Sequence, residues 1–177
     1  MLSKESIFID AQYLKFFDAK KRISLFSRAR ATSDYYTPNT NLFSGAYLNY
    51  TTKSGFGGTL IGRISSSSRG VDTGIHYFKN TKSFMVYALS SININKELFY
   101  SWFSILRYTP HVYTNYKLFT SLELFSAFAQ VGHLSSVQRA YLGLDKKGYQ
   151  FGFATHVNQS RSSGDDVNFG IFIRKTF

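Results

Sequence analysis

From residue 6 to the end of the chain, apolar and polar residues alternate with a period of two, and short polar clusters cut the alternation into runs about as long as a wall-spanning strand. A period of two sends successive side chains to opposite faces of a strand, and no stretch shows a helix of any length. The runs predict strands over 6–17, 22–33, 42–52, 56–66, 71–79, 83–94, 97–108, 116–130, 137–145, 148–158 and 166–177. They are joined by tight connectors such as "KSG", "NTK" and "KK", with "DYYTPNTN" and "SRSSGDD" among the larger ones. Tight connectors imply antiparallel hairpins in up-and-down order rather than crossovers through helices. The expectation is one all-β domain over 1–177, a closed antiparallel up-and-down barrel.

Which face is apolar decides what surrounds such a barrel. In the final run, Val167, Phe169, Ile171, Ile173, Lys175 and Phe177 share one face, opposite Asn168, Gly170, Phe172, Arg174 and Thr176. In "RISLFSRARA", Ile23, Leu25 and Ala29 stand opposite Ser24, Arg28 and Arg30; in "FGGTLIGRIS", Phe56, Leu60 and Ile64 stand opposite Thr59 and Arg63. The polar face is often Gly, Ala, Ser or a lone Arg, which suits a crowded interior better than an open surface. Charged residues are 18% of the chain against roughly 25% in an average one, while the chain holds 18 Phe and 13 Tyr. Many of these aromatics fall near strand ends, as girdles at two membrane interfaces would. The rival is a soluble ligand-binding barrel, which would turn the same apolar face inward.

The formal net charge of +11 favours anionic partners. The basic residues are scattered singly over many strands and no RNA-binding signature is present, so nucleic acid is not expected. Without Cys there is no disulfide framework or thiolate metal site. No apolar run reaches the length of a spanning helix. The start lacks a secretory segment, so export would require this numbering to begin after cleavage. Asp72 and His76, four residues apart on one strand face, are separated by about 13 Å of strand rise, too far for a shared ion. "GFGG" lacks the helix that completes a phosphate loop. No metal and no cofactor are expected.

Strand order, outward aromatics and the closing "NFGIFIRKTF" together make the chain resemble bacterial outer-membrane β-barrel proteins; with "QRAYLGLDKKGYQFGFATHVNQ" it looks like small uncharacterised barrels of the Bacteroidota envelope. The resemblance implies outer-membrane localisation, with outer-membrane lipid and the barrel-assembly machinery as partners. In that family the machinery reads a last strand with outward apolar residues and a terminal aromatic, a pattern matched here by Phe169, Ile171, Ile173 and Phe177. It also implies an even strand number, which is about 12 with one strand hidden in "YTPHVYTNYK", or 10 as the alternative.

Two functional readings follow. The inward basic set is Arg28, Arg30, Arg63, Arg107, Arg139, His156 and Arg174, with Asp10, Asp72 and Glu123 as inward acids. An excess of positive charge in a narrow lumen attracts anions, while Arg–carboxylate pairing fills it. The expectation is a porin-like but non-enzymatic barrel with no catalytic residues, either a small anion-favouring passive channel or a membrane-embedded subunit of an envelope complex with other envelope proteins. The alternative is an outer-membrane lipid-modifying enzyme, which needs Ser and His in hydrogen-bonding reach. Of His76, His111, His133 and His156, only His133 has serines close by, Ser135 and Ser136, in an expected loop.

Overall fold

The computed structural model describes residues 1–3, 5–36, 40–66, 68–94, 99–161 and 164–176. The strands are β1 (Leu2–Ser3), β2 (Ser6–Phe16), β3 (Ile23–Asp34), β4 (Thr40–Thr51), β5 (Phe56–Ser65), β6 (Arg69–Asn80), β7 (Phe84–Asn93), β8 (Phe99–Tyr108), β9 (His111–Tyr113), β10 (Tyr116–Ala129), β11 (Gly132–Lys146), β12 (Tyr149–Ser160) and β13 (Gly164–Lys175). Twelve of them form one closed antiparallel ring in the order β1 to β8, β10 to β13 and back to β1, and no helix occurs among the described residues.

Eleven long strands cannot close an antiparallel ring, because the first and last would run the same way. The ring becomes even through β1, where Leu2 pairs with Ile171 of β13 on one side and with Ile7 of β2 on the other. The twelfth strand is therefore not the one expected within "YTPHVYTNYK". That stretch contains β9, which pairs with β10 alone and stands outside the ring.

Local chemistry explains the turns. Lys147 and Gly148 both have positive φ, 51° and 81°, the two-residue hairpin geometry whose twist matches the flanking strands. In the turn after β2, the backbone N–H groups of Ile23 and Arg22 each donate to Asp18 Oδ1 at 2.7 Å and hold its carboxyl below the usual carboxylate range.

The apolar side chains face outward. Ile173 is 80% exposed, Phe153 73% and Ile75 71%, on three different strands. Each such side chain gains about 1.5–3 kcal/mol on leaving water, so a belt of them is stable in hydrocarbon and unstable as a water-facing surface. This excludes the soluble ligand-binding barrel, which would carry them inside. The lumen is instead filled by two clusters, Ile61, Tyr87, Leu89, Phe103 and Ile105 on one side and Phe119, Tyr141, Ala154 and Phe172 on another, with buried charges between. The architecture is that of a transmembrane β-barrel of the outer-membrane type.

Candidate active site on the outer face

The basic and acidic residues singled out in the sequence all sit on inward-facing strand positions, and most are tied to one another. Arg28 donates from Nε to Asp10 Oδ1 at 2.7 Å and from Nη2 to Glu123 Oε2 at 2.7 Å. Arg30 Nη2 reaches Glu123 Oε2 at 3.2 Å, and Arg139 Nη1 lies 4.0 Å from it. Arg63 Nε donates to Asp72 Oδ2 at 2.6 Å. Arg107 Nη2 donates to Gln12 Oε1 at 2.9 Å, and Arg174 lies over the rings of Phe119 and Tyr141.

In a ring of twelve, β3 and β10 are six strands apart, as are β2 and β8. The Arg28–Glu123 and Arg107–Gln12 bonds therefore cross the full diameter. Long side chains meeting at the axis fill the lumen at that level and oppose the passive channel expected from the sequence.

Two of the histidines are held within the lumen. His76 uses both ring nitrogens, Nδ1 at 2.7 Å from Thr59 Oγ1 and Nε2 at 2.9 Å from Thr51 Oγ1. Room for its ring comes from Gly57, where a Cβ would stand 2.6 Å from His76 Cε1 and 1.9 Å from the Tyr50 carbonyl. His156 Nε2 lies 3.0 Å from the Tyr141 hydroxyl, and its ring meets Phe8 edge-on. His111 is exposed on β9.

His133 differs, and it is not in a loop as the sequence suggested but inside β11. Along β11, Arg139, Tyr141 and Gly143 face the lumen, while Ser136, Gln138, Ala140 and Leu142 face outward. Strict alternation would place His133 with the inward set. A β-bulge breaks it: Ala127 pairs with Ser135 but the next residue, Phe128, pairs with His133, leaving Leu134 as the extra residue. Bulges of this kind re-aim side chains. His133 is thereby swung onto the outer face beside Ser136, with Nε2 2.8 Å from Ser136 Oγ.

Ser136 Oγ is also 2.8 Å from Ser126 Oγ on the paired strand β10. For Nε2 to accept, Ser136 must donate to His133, and Ser126 must then donate to Ser136. This places Nδ1–H on His133, a tautomer assigned from the network. Ser136 is buried, only 8% exposed, whereas His133 is open to the outside. Phe128 packs against His133 with ring centroids 5.5 Å apart. On the other side of Phe128 lies a hollow of about 220 Å³ lined by Ile92, Phe99, Tyr100, Phe128, Ala129 and Gln130. The arrangement offers a polarised hydroxyl, a proton acceptor and an apolar slot within one patch facing lipid.

No protein-family model matches the chain, and no curated protein matches it. LpxR from Salmonella typhimurium is similar in structure, with a TM-score of 0.48 and 9% identity over 97% of this chain and 88% of that chain. The likeness is one of barrel architecture and places no residue. The narrower resemblance to Bacteroidota barrels gains nothing from it. The expectation of a non-enzymatic barrel is nevertheless corrected. The Arg28–Glu123 and Arg107–Gln12 bonds across the lumen oppose the passive pore, and the outward His133–Ser136 pair is a nucleophile–base constellation that the non-enzymatic reading did not contain. Neither the channel nor the non-enzymatic subunit reading is retained.

Proposed function

We propose that the protein is a bacterial outer-membrane barrel enzyme that cleaves an O-acyl ester of a membrane lipid, with Ser136 as nucleophile and His133 as general base. The observation that carries the reading is the 2.8 Å contact between His133 Nε2 and Ser136 Oγ on the lipid-facing wall. A serine hydroxyl is a weak nucleophile until a neighbouring base takes its proton.

In this reading the ester carbonyl lies over Ser136 and one acyl chain enters the hollow beside Phe128. Ser136 Oγ attacks the carbonyl carbon as its proton passes to His133 Nε2. The tetrahedral intermediate collapses with loss of the lipid alcohol, which takes that proton from His133, and water releases the acyl group from Ser136 by the same route. The Ser126 hydroxyl, freed from donating to Ser136, is placed to stabilise the developing oxyanion. Catalysis on the outer wall gives the site direct access to lipid without passage through the filled lumen.

The test is fatty-acid release from vesicles of phosphatidylglycerol and of an acylated glucosamine lipid containing the refolded barrel. Ser136→Ala and His133→Ala should each lose at least about 10³-fold in kcat, and Ser126→Ala less. Wild-type turnover in Ser136→Ala would sink the assignment.

Assembly belongs to the same proposal. The outward Phe169, Ile171 and Ile173 of β13 would be read by the barrel-assembly machinery together with Phe177, which lies outside the described residues.

A further inference from the structure

The net charge of the chain is concentrated at one rim. Call the lower rim the end that holds the turns after β2, β4, β6, β8 and β11 together with the end of β13. Eleven of the 21 Lys and Arg residues lie in or beside those turns, against Asp18 and Asp145 alone of the ten acids. Among the described residues the upper rim carries Arg69 and Arg161 against Glu5, Asp34, Asp165 and Asp166. The lumen holds six Arg (Arg28, Arg30, Arg63, Arg107, Arg139 and Arg174) against three acids (Asp10, Asp72 and Glu123), a smaller excess than the eleven cations against two acids of the lower rim, which therefore holds most of the uncompensated positive charge.

These cations are spread around the whole circumference. Lys21, Lys53, Lys82, Lys117 and Lys147 each come from a different hairpin, and Lys175 from the last strand. Several are backed by rings at the same level: Lys175 Nζ lies 3.5 Å from the Tyr149 ring centroid, Lys146 Nζ 5.0 Å from that of Tyr116 and Lys15 Nζ 5.6 Å from that of the exposed Phe17. Aromatic bodies at a membrane interface with ammonium groups extending past them is the arrangement that places cations among headgroups.

We propose that this lysine collar binds the phosphates of anionic lipids in the leaflet it faces, forming a selective lipid ring around the lower rim. A protein partner would meet one sector of the circumference, whereas a leaflet meets every hairpin at once, and the collar is continuous. Charge complementarity and depth agree with that occupant. The inference goes beyond the proposed catalysis and does not depend on the Ser136 site.

The test uses the full chain in phosphatidylcholine vesicles with a minor share of phosphatidylglycerol. A tryptophan reporter is placed in the collar as Tyr149→Trp in a Trp102→Phe background, and the native Trp102, on the outer face towards the upper rim, serves as the comparison site. Quenching by acyl-brominated phosphatidylglycerol and by acyl-brominated phosphatidylcholine gives the relative affinity at each position. The collar reporter should prefer the anionic lipid about fivefold at low salt. The preference should fall towards unity in high salt and in Lys146→Gln/Lys147→Gln/Lys175→Gln, while Trp102 shows none. A heat-dependent gel shift confirms that each variant is folded. A ratio near one at the collar, or an equal preference at Trp102, overturns the proposal. So does a collar indifferent to lipid that binds polyglutamate, which would assign the surface to an acidic protein.

Discussion

Arg28 on β3 and Glu123 on β10 face each other across the full diameter of the barrel, and Arg28 Nη2 donates to Glu123 Oε2 at 2.7 Å. Asp10 and Glu123 are the two acceptors that hold Arg28, with Arg30 and Arg139 around them. Removing one carboxylate leaves cations packed in a site that water reaches poorly. Glu123→Ala should therefore destabilise the folded barrel by about 3–5 kcal/mol, measured as a lower urea midpoint for unfolding from vesicles. An unchanged midpoint would mean that the ion pairs do not brace the wall.

The same contacts predict an electrically silent barrel. Planar bilayers containing the wild-type barrel should show no steady conductance, and Arg28→Ala/Glu123→Ala should show an increased leak if it remains folded. A wild-type pore of stable conductance would contradict the filled lumen.

Gly57 has no space for a side chain, since a Cβ would meet the Tyr50 carbonyl at 1.9 Å and the His76 ring at 2.6 Å. Gly57→Ala should cost about 1–3 kcal/mol through displacement of β4 or of the His76 ring. Gly58, the next residue along, faces outward with nothing within 4 Å, and Gly58→Ala should be close to neutral in the same unfolding experiment.

Phe153 lies near the middle of β12 and is 73% exposed. Phe153→Arg should destabilise the barrel in vesicles by about 2–4 kcal/mol. A neutral effect would place that face against water or protein rather than lipid.

Much of the architecture is legible in the sequence because a barrel wall obeys a single rule. Arg28 and Arg30, two residues apart, must share a face, and the apolar Ala29 between them must take the other. What alternation cannot supply is partnership: Arg28 and Glu123 are 95 residues apart, and only ring closure brings their strands opposite. Leu2 and Ser3 are too few to show any period, so the strand that makes the ring even is invisible. The candidate catalytic pair was hidden for a further reason. Period two assigns His133 and Ser136 to opposite faces, and the bulge at Leu134 that reunites them leaves no mark in "VGHLSS" beyond the nearness of a histidine and two serines.

Ser136 as nucleophile is tested by covalent labelling of the vesicle-embedded barrel with an alkyl fluorophosphonate, which reacts with activated serines, followed by mass-spectrometric mapping of the modified residue. Ser136 should be labelled, Ser126 and Ser135 should not, and His133→Ala should abolish the reaction while keeping the heat-dependent gel shift of the folded barrel. An unlabelled Ser136 in folded wild-type protein, or labelling that persists in His133→Ala, would contradict the account.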